Sequence, residues 1–250
     1  LKAQHRSIID RCVQAVYRPY IASGYKGNAP TLTDLQAEIK KQPEPEAQEL
    51  ALAAELFISG SLSIFAQKTN VDQNNRLTSY NILDLGEQLL PMGMLVILES
   101  IYNRVIQNWR SGRRTWVFVD EFSIFFRYPF ATNFFLRMWK QVRKRAGYMT
   151  GITQNVGEML TSKDACWMLA NSEFLIMLSQ SASDRAALAE LLNISDTQLS
   201  YVENADPGCG LMKFGGAFIP FVNSFPEDTE LYKLMTTKPA DREQVKPNGV

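Results

Sequence analysis

The sequence has one histidine, three cysteines and no Gly-Lys dipeptide, and each scarcity excludes a chemistry. With His5 alone, read as an exposed helix residue, neither a zinc site nor a Ser/His/Asp triad is supported. Cys12, Cys166 and Cys209 lie far apart without metal-ligand spacing. Their odd, sparse count reads as reduced thiols in a cytosolic setting. Without Gly-Lys there is no G-x-x-x-x-G-K-[ST], the loop that cradles phosphates in P-loop NTPases. No excess of either charge is present, because Lys+Arg and Asp+Glu stand at 26 each. Bulk charge therefore advertises neither nucleic acid nor membrane, and any such contact would need a local patch. No apolar run approaches the roughly 18 residues of a membrane span. The most apolar stretch, Leu89 to Leu98, is interrupted by Pro91 and Gly93, and no signal peptide is read. Internal repeats and low-complexity segments are absent too.

What is present suits a globular protein: 250 residues, 46% hydrophobic and 21% charged, enough for one large domain or two modest ones. The chain opens on Leu1 rather than Met and enters a helical pattern at once, as a piece cut from a longer protein would. Ile8, Ile9, Cys12, Val13, Val16, Tyr17 and Tyr20 form one helical stripe, ended by Gly24 and Gly27. Thr33 with Gln36 reads as a capping box opening a second helix. A third helix spans Glu46 to Ile58, closed by Gly60, and a short one runs from Ser61 to Gln67. Residues 1–72 thus read as an all-helical bundle.

From there the pattern changes. Strands are expected at Leu77 to Leu83, Thr115 to Asp120, Tyr148 to Thr153 and Phe174 to Leu178. Helices are expected at Met92 to Trp109, Thr132 to Ala146, within Val156 to Ala170, and at Asp184 to Leu192. Such alternation implies βαβ crossovers and a mainly parallel sheet, an α/β fold over residues 73–236. A hairpin turning at Gly215-Gly216 joins Leu211–Phe214 to Ala217–Val222. A last helix covers Glu227 to Met235, followed by a polar tail over 237–250.

Trp116-Val117-Phe118-Val119-Asp120-Glu121 carries the chemistry. It is a buried strand delivering two carboxylates to the carboxyl edge of a sheet, where ligands bind in open α/β folds. In nucleotide hydrolysis such an Asp organises Mg²⁺ and such a Glu activates water. Gln154 ends the next strand at the same edge and can sense a γ-phosphate or the lytic water. The alternative is a strand-end polar residue capping the next helix. Lys140, Arg143, Lys144 and Arg145 end the intervening helix. They either complement its dipole or supply an arginine finger to a neighbouring subunit, with Arg143 first, then Arg185 and Arg145. Arg110, Arg113 and Arg114 precede the Asp-Glu strand at the opposite edge, as a solvated loop or a phosphate contact. The aromatic segment Phe122 to Phe130 reads as packing or interface rather than a base-stacking surface.

Thr69-Asn70-Val71-Asp72, the strand ending Asp84-Leu85, Trp116 to Phe122, Arg143-Lys144-Arg145-Ala146-Gly147 and Gly151-Ile152-Thr153-Gln154-Asn155, in that order, resemble one family. It is that of the conjugative-transfer ATPases of type IV secretion systems, the VirB-type, TraC/TraE-like proteins related to HerA and FtsK. The closing hairpin and Leu231-Tyr232-Lys233-Leu234 resemble that family's end. The resemblance implies a partial RecA-like motor with a helical insertion, whose phosphate-binding loop lies upstream. It implies ATP and Mg²⁺ as cofactors, Asp120 as a Mg²⁺ ligand through water, and a homo-oligomer, a hexamer. It also implies partners among the secretion components at the inner membrane, a place at the cytoplasmic face, and contact with DNA. A coupling protein or FtsK/HerA-type pump is the alternative within this class, and a non-catalytic interaction module the alternative outside it.

Overall fold

A computed structural model describes residues 2–68, 75–154 and 156–236. The Thr69-Asn70-Val71-Asp72 motif, Asn155 and the tail 237–250 lie outside the described residues. The chain divides into two compact units, Leu1–Tyr102 and Asn103–Val250.

In the first unit α1 (Ala3–Ala22), α2 (Leu32–Ile39) and α3 (Pro45–Ile58) pack around Ile8, Cys12, Ile39, Ala47 and Ala51. The α1 contribution is the stripe read from the sequence, with Ile8 and Cys12 one turn apart and buried. The capping box is not Thr33 with Gln36. Thr31 caps α2, and its backbone N–H (2.7 Å) and hydroxyl (2.9 Å) both donate to Asp34 Oδ2. Gln36 lies a turn deeper and buried, and its Nε2 donates to Ala51 O at 2.8 Å, tying α2 to α3. The Thr31 donors hold the Asp34 carboxyl below its ordinary range. A depressed carboxylate contributes stability that is complete above its unfolded-state pKa and lost as pH falls through the folded one. Acid should therefore weaken the wild-type unit more than Asp34→Asn, so that their urea midpoints converge as pH drops below 4. A constant gap from pH 7 to pH 3 would contradict the cap.

Leu77 to Leu83 is not a strand. Residues 75–82 are irregular, Leu83–Leu85 make a 3₁₀ turn, and Leu77 is 89% exposed. A strand persists through its ladder, and no described strand runs beside this segment. Helix α4 (Gly86–Arg110) then runs 25 residues through Pro91 and Gly93. Pro91 sits near the start, where it removes a single helical donor. The Leu85 side chain fills the space that a Cβ at Gly93 would take. Among the described residues α4 is the one helix long and apolar enough to cross a membrane, by length and composition, because the helix continues through Pro91 and Gly93. Met94, Leu98 and Val105 are buried along it, whereas Leu95 and Val96 are exposed.

The second unit continues with β1 (Thr115–Val119), α5 (Pro129–Gln141), β2 (Gly147–Gly151), α6 (Val156–Leu160) and α7 (Lys163–Ala170). Next come β3 (Phe174–Met177), α8 (Ala182–Leu192), α9 (Asp196–Leu199), β4 (Cys209–Phe214), β5 (Ala217–Val222) and α10 (Glu230–Met235). Strands β1 and β2 are parallel, with Thr115 opposite Gly147 and Val119 opposite Gly151. The α/β reading stands on this pair and its helices. The parallel ladder, however, stops at two strands among the described residues. Strand β3 pairs antiparallel with β4, Phe174 opposite Phe214, and β4 with β5 across the Gly215-Gly216 turn. That turn opens on Gly215 at φ 56, a left-handed conformation that glycine adopts without a Cβ penalty. The inner face of this sheet closes with α8 over Met177, Leu188, Leu192, Ile194, Val202 and Leu211.

Candidate active site

Along β1 the period of two buries Val117 and Val119 and leaves Trp116 and Phe118 exposed, Trp116 stacking on Tyr148 of β2 at 4.6 Å. Past the strand ends the pairing holds for another step. Ile152 N–H donates to Val119 O and Phe122 N–H to Ile152 O, both at 2.8 Å. Between these two bonds the chain turns sharply, and Glu121 adopts φ 46, ψ 49. A residue with a Cβ is left-handed at a cost of about 1–3 kcal/mol, tolerated where the surroundings fix it.

Phe122 fixes it. The ring is 2% exposed and packs against Phe125, Phe126, Phe135 and Trp139, with centroids 4.9–6.4 Å away. Gly151 on β2 makes the room, since a Cβ there would lie 2.5 Å from Phe122 Cδ1. The aromatic run after β1 is thus packing, and its tightest element is the anchor of the acidic pair.

Asp120 is exposed, and its Oδ1 accepts the Glu121 N–H at 3.1 Å. Its other oxygen makes no hydrogen bond among the described residues. Glu121 is half-buried, and its Oε1 accepts Gln154 Nε2 at 3.0 Å across 33 residues of sequence. The structure therefore brings Asp120, Glu121 and Gln154 to one edge.

It does not bring Arg143 and Arg145 there. Arg143 and Arg145 lie in a 3₁₀ turn, Val142–Arg145, before β2, at the strand end opposite Gln154. Arg143 is exposed, and Arg145 donates to Gln141 Oε1 at 3.4 Å. Lys140 lies over the Trp167 ring at 4.7 Å. Arg110, Arg113 and Arg114, all exposed, precede β1 at that same amino edge. Arg185 on α8 is held by Glu203 Oε1 at 2.7 Å and by Gln180 O at 3.4 Å.

Two further residues join the segments that carry this edge. Arg127 Nε meets Glu158 Oε1 at 2.8 Å, tying the 3₁₀ segment Phe122–Arg127 to α6. The Arg127 guanidinium holds the Glu158 carboxyl below its ordinary range, with the Ser123 hydroxyl adding to the effect. Ser123 is 1% exposed, and its Oγ lacks a well-placed hydrogen-bond partner. No local signal marks them: Glu158 falls four residues after Gln154 and Arg127 six after Glu121, spacings that belong to no motif.

Magnesium is held by one or two carboxylates, waters and substrate phosphates rather than by an all-protein cage. Asp120, with an unengaged oxygen beside Glu121, fits that donor set. No larger acidic or thiol cluster occurs among the described residues. The phosphates themselves find no glycine-rich cradle there.

No family model and no curated protein sequence matches this chain. A solved structure does, that of VirB4 of Thermoanaerobacter pseudethanolicus, with a TM-score of 0.73 at 22% identity over 91% of this chain. The fold is VirB4-like. The match covers 66% of the VirB4 chain, so this chain spans just under two thirds of that protein's length.

Proposed function

We propose that the chain is the C-terminal part of a type IV secretion ATPase, a motor powering channel or pilus assembly and the transfer of DNA or protein. The observation that carries this is the Glu121–Gln154 hydrogen bond at the shared carboxyl edge, with Glu121 in a left-handed conformation beside Asp120. The VirB4-like fold supports it. In this reading the phosphate-binding loop and the first strands of the motor precede Leu1, and residues 1–72 are the helical insertion. The 250-residue chain alone then binds nucleotide poorly.

Mg-ATP, when bound, would supply the scissile phosphoanhydride and the metal charge that offsets it. Asp120 would hold the metal through water. Glu121 would accept a proton from the attacking water at its carboxylate. The Gln154 amide, donating one N–H to Glu121, would offer its second N–H to a phosphate oxygen. Arg143, Arg185 or Arg145 would complete a neighbouring subunit's site in a hexamer, Arg143 and Arg145 from the opposite edge and Arg185 after releasing Glu203. The motor would work at the cytoplasmic face of the membrane with other secretion components.

The full-length protein should hydrolyse ATP only with Mg²⁺, and Asp120→Asn should lose about 100-fold or more of that rate, read by phosphate release. An Asp120→Asn enzyme as fast as wild type would remove the assignment.

A further inference from the structure

We infer that Arg127 and Glu158 form a positioning clamp that holds the Gln154 amide on the Glu121 carboxylate. The inference rests on the ATPase reading for its kinetic consequence but stands on geometry of its own.

The segment after β1 and the segment after β2 meet at two side-chain links. The inner link is Gln154 Nε2 to Glu121 Oε1, 3.0 Å. The outer one is Arg127 Nε to Glu158 Oε1, 2.8 Å, the one ion pair between these segments among the described residues. The backbone bond from Phe122 N–H to Ile152 O already joins the roots of the two segments, and the outer link fixes how the 3₁₀ segment and α6 run on from there. The pair is not there for bulk stability. Arg127 is 62% exposed in its side chain, and ion pairs that open to solvent contribute little.

Its placement gives it leverage instead. Phe122 is locked in the aromatic cluster at one end of the six-residue 3₁₀ segment, and Arg127 closes the other end. Helix α6 is only five residues long and begins two residues after Gln154. Ser123, almost fully buried, lies on the 3₁₀ segment between Phe122 and Arg127. If the outer link opens, α6 turns, Gln154 follows, and Glu121 loses the donor that orients it.

In the full-length enzyme Arg127→Ala and Glu158→Gln should each lower kcat about 10-fold, while KM for ATP stays within about 2-fold. The charge exchange Arg127→Glu with Glu158→Arg should recover most of the lost kcat. A general folding defect would not be rescued in that way. The second readout needs no nucleotide: in the 250-residue chain, Arg127→Ala should speed amide hydrogen exchange at Phe122 and Ile152 and leave the β4–β5 hairpin unchanged. Unchanged exchange at both amides, or a kcat loss that the charge exchange does not recover, would overturn the clamp. Should the wild-type enzyme hydrolyse no ATP, the ATPase reading fails by itself, and the exchange result alone decides for or against the clamp.

Discussion

Glu121→Gln in the full-length protein is expected to cut ATP turnover by about 10²–10⁴-fold while leaving nucleotide affinity near that of wild type. The substitution keeps the shape of the side chain and the left-handed backbone at this position. It keeps an oxygen that can accept the Gln154 amide bond. What it removes is the basicity that takes the proton from water. Asp120, the residue proposed to hold the metal, is untouched, so binding and hydrolysis should separate. Steady-state phosphate release beside equilibrium titration with Mg-ATP measures both. Retained hydrolysis by Glu121→Gln would exclude this residue as the base, and loss of both properties together would point to a structural role.

Phe122→Ala carries the largest expected stability loss, about 3–5 kcal/mol from urea unfolding of the second unit. The ring is almost fully buried and touches four other rings, and the strand glycine facing it cannot fill the space left behind. Its loss should also release Glu121, because the residue that pins the next position in the core is gone. A loss below about 1 kcal/mol would mean that the aromatic cluster is not the anchor of this loop.

Much of this site was legible because it follows from one edge rule. Apolar runs ending at Asp120 and near Gln154, with a helix of suitable length between, place both termini together in a parallel pair. The same rule, applied consistently, puts Arg143 and Arg145 at the far end, since they lie before β2 and not after it. Other features leave no local trace. The Arg127–Glu158 pair joins residues 31 apart, and neither neighbourhood marks the other. Strand β3 has the composition of a buried strand whichever way its neighbour runs, and only the ladder with β4 decides its direction. Leu77 to Leu83 has strand-forming residues without a described partner. Thr33 and Gln36 have the right types at the right interval, but the chain enters the helix two residues earlier, where Thr31 finds a charged acceptor in Asp34.

The parallel register of β1 and β2 has one more consequence. It gathers Arg110, Arg113, Arg114, Arg143, Lys144 and Arg145 at one end of the pair and Asp120 and Glu121 at the other. Five strand residues separate them, about 17 Å at the rise of a β-strand. A chain with zero formal net charge thereby carries a strong local dipole. The gap is about twice the Debye length of about 8 Å at physiological ionic strength. An ion arriving at the amino end therefore meets the basic cluster with the carboxylates of the far end screened from view.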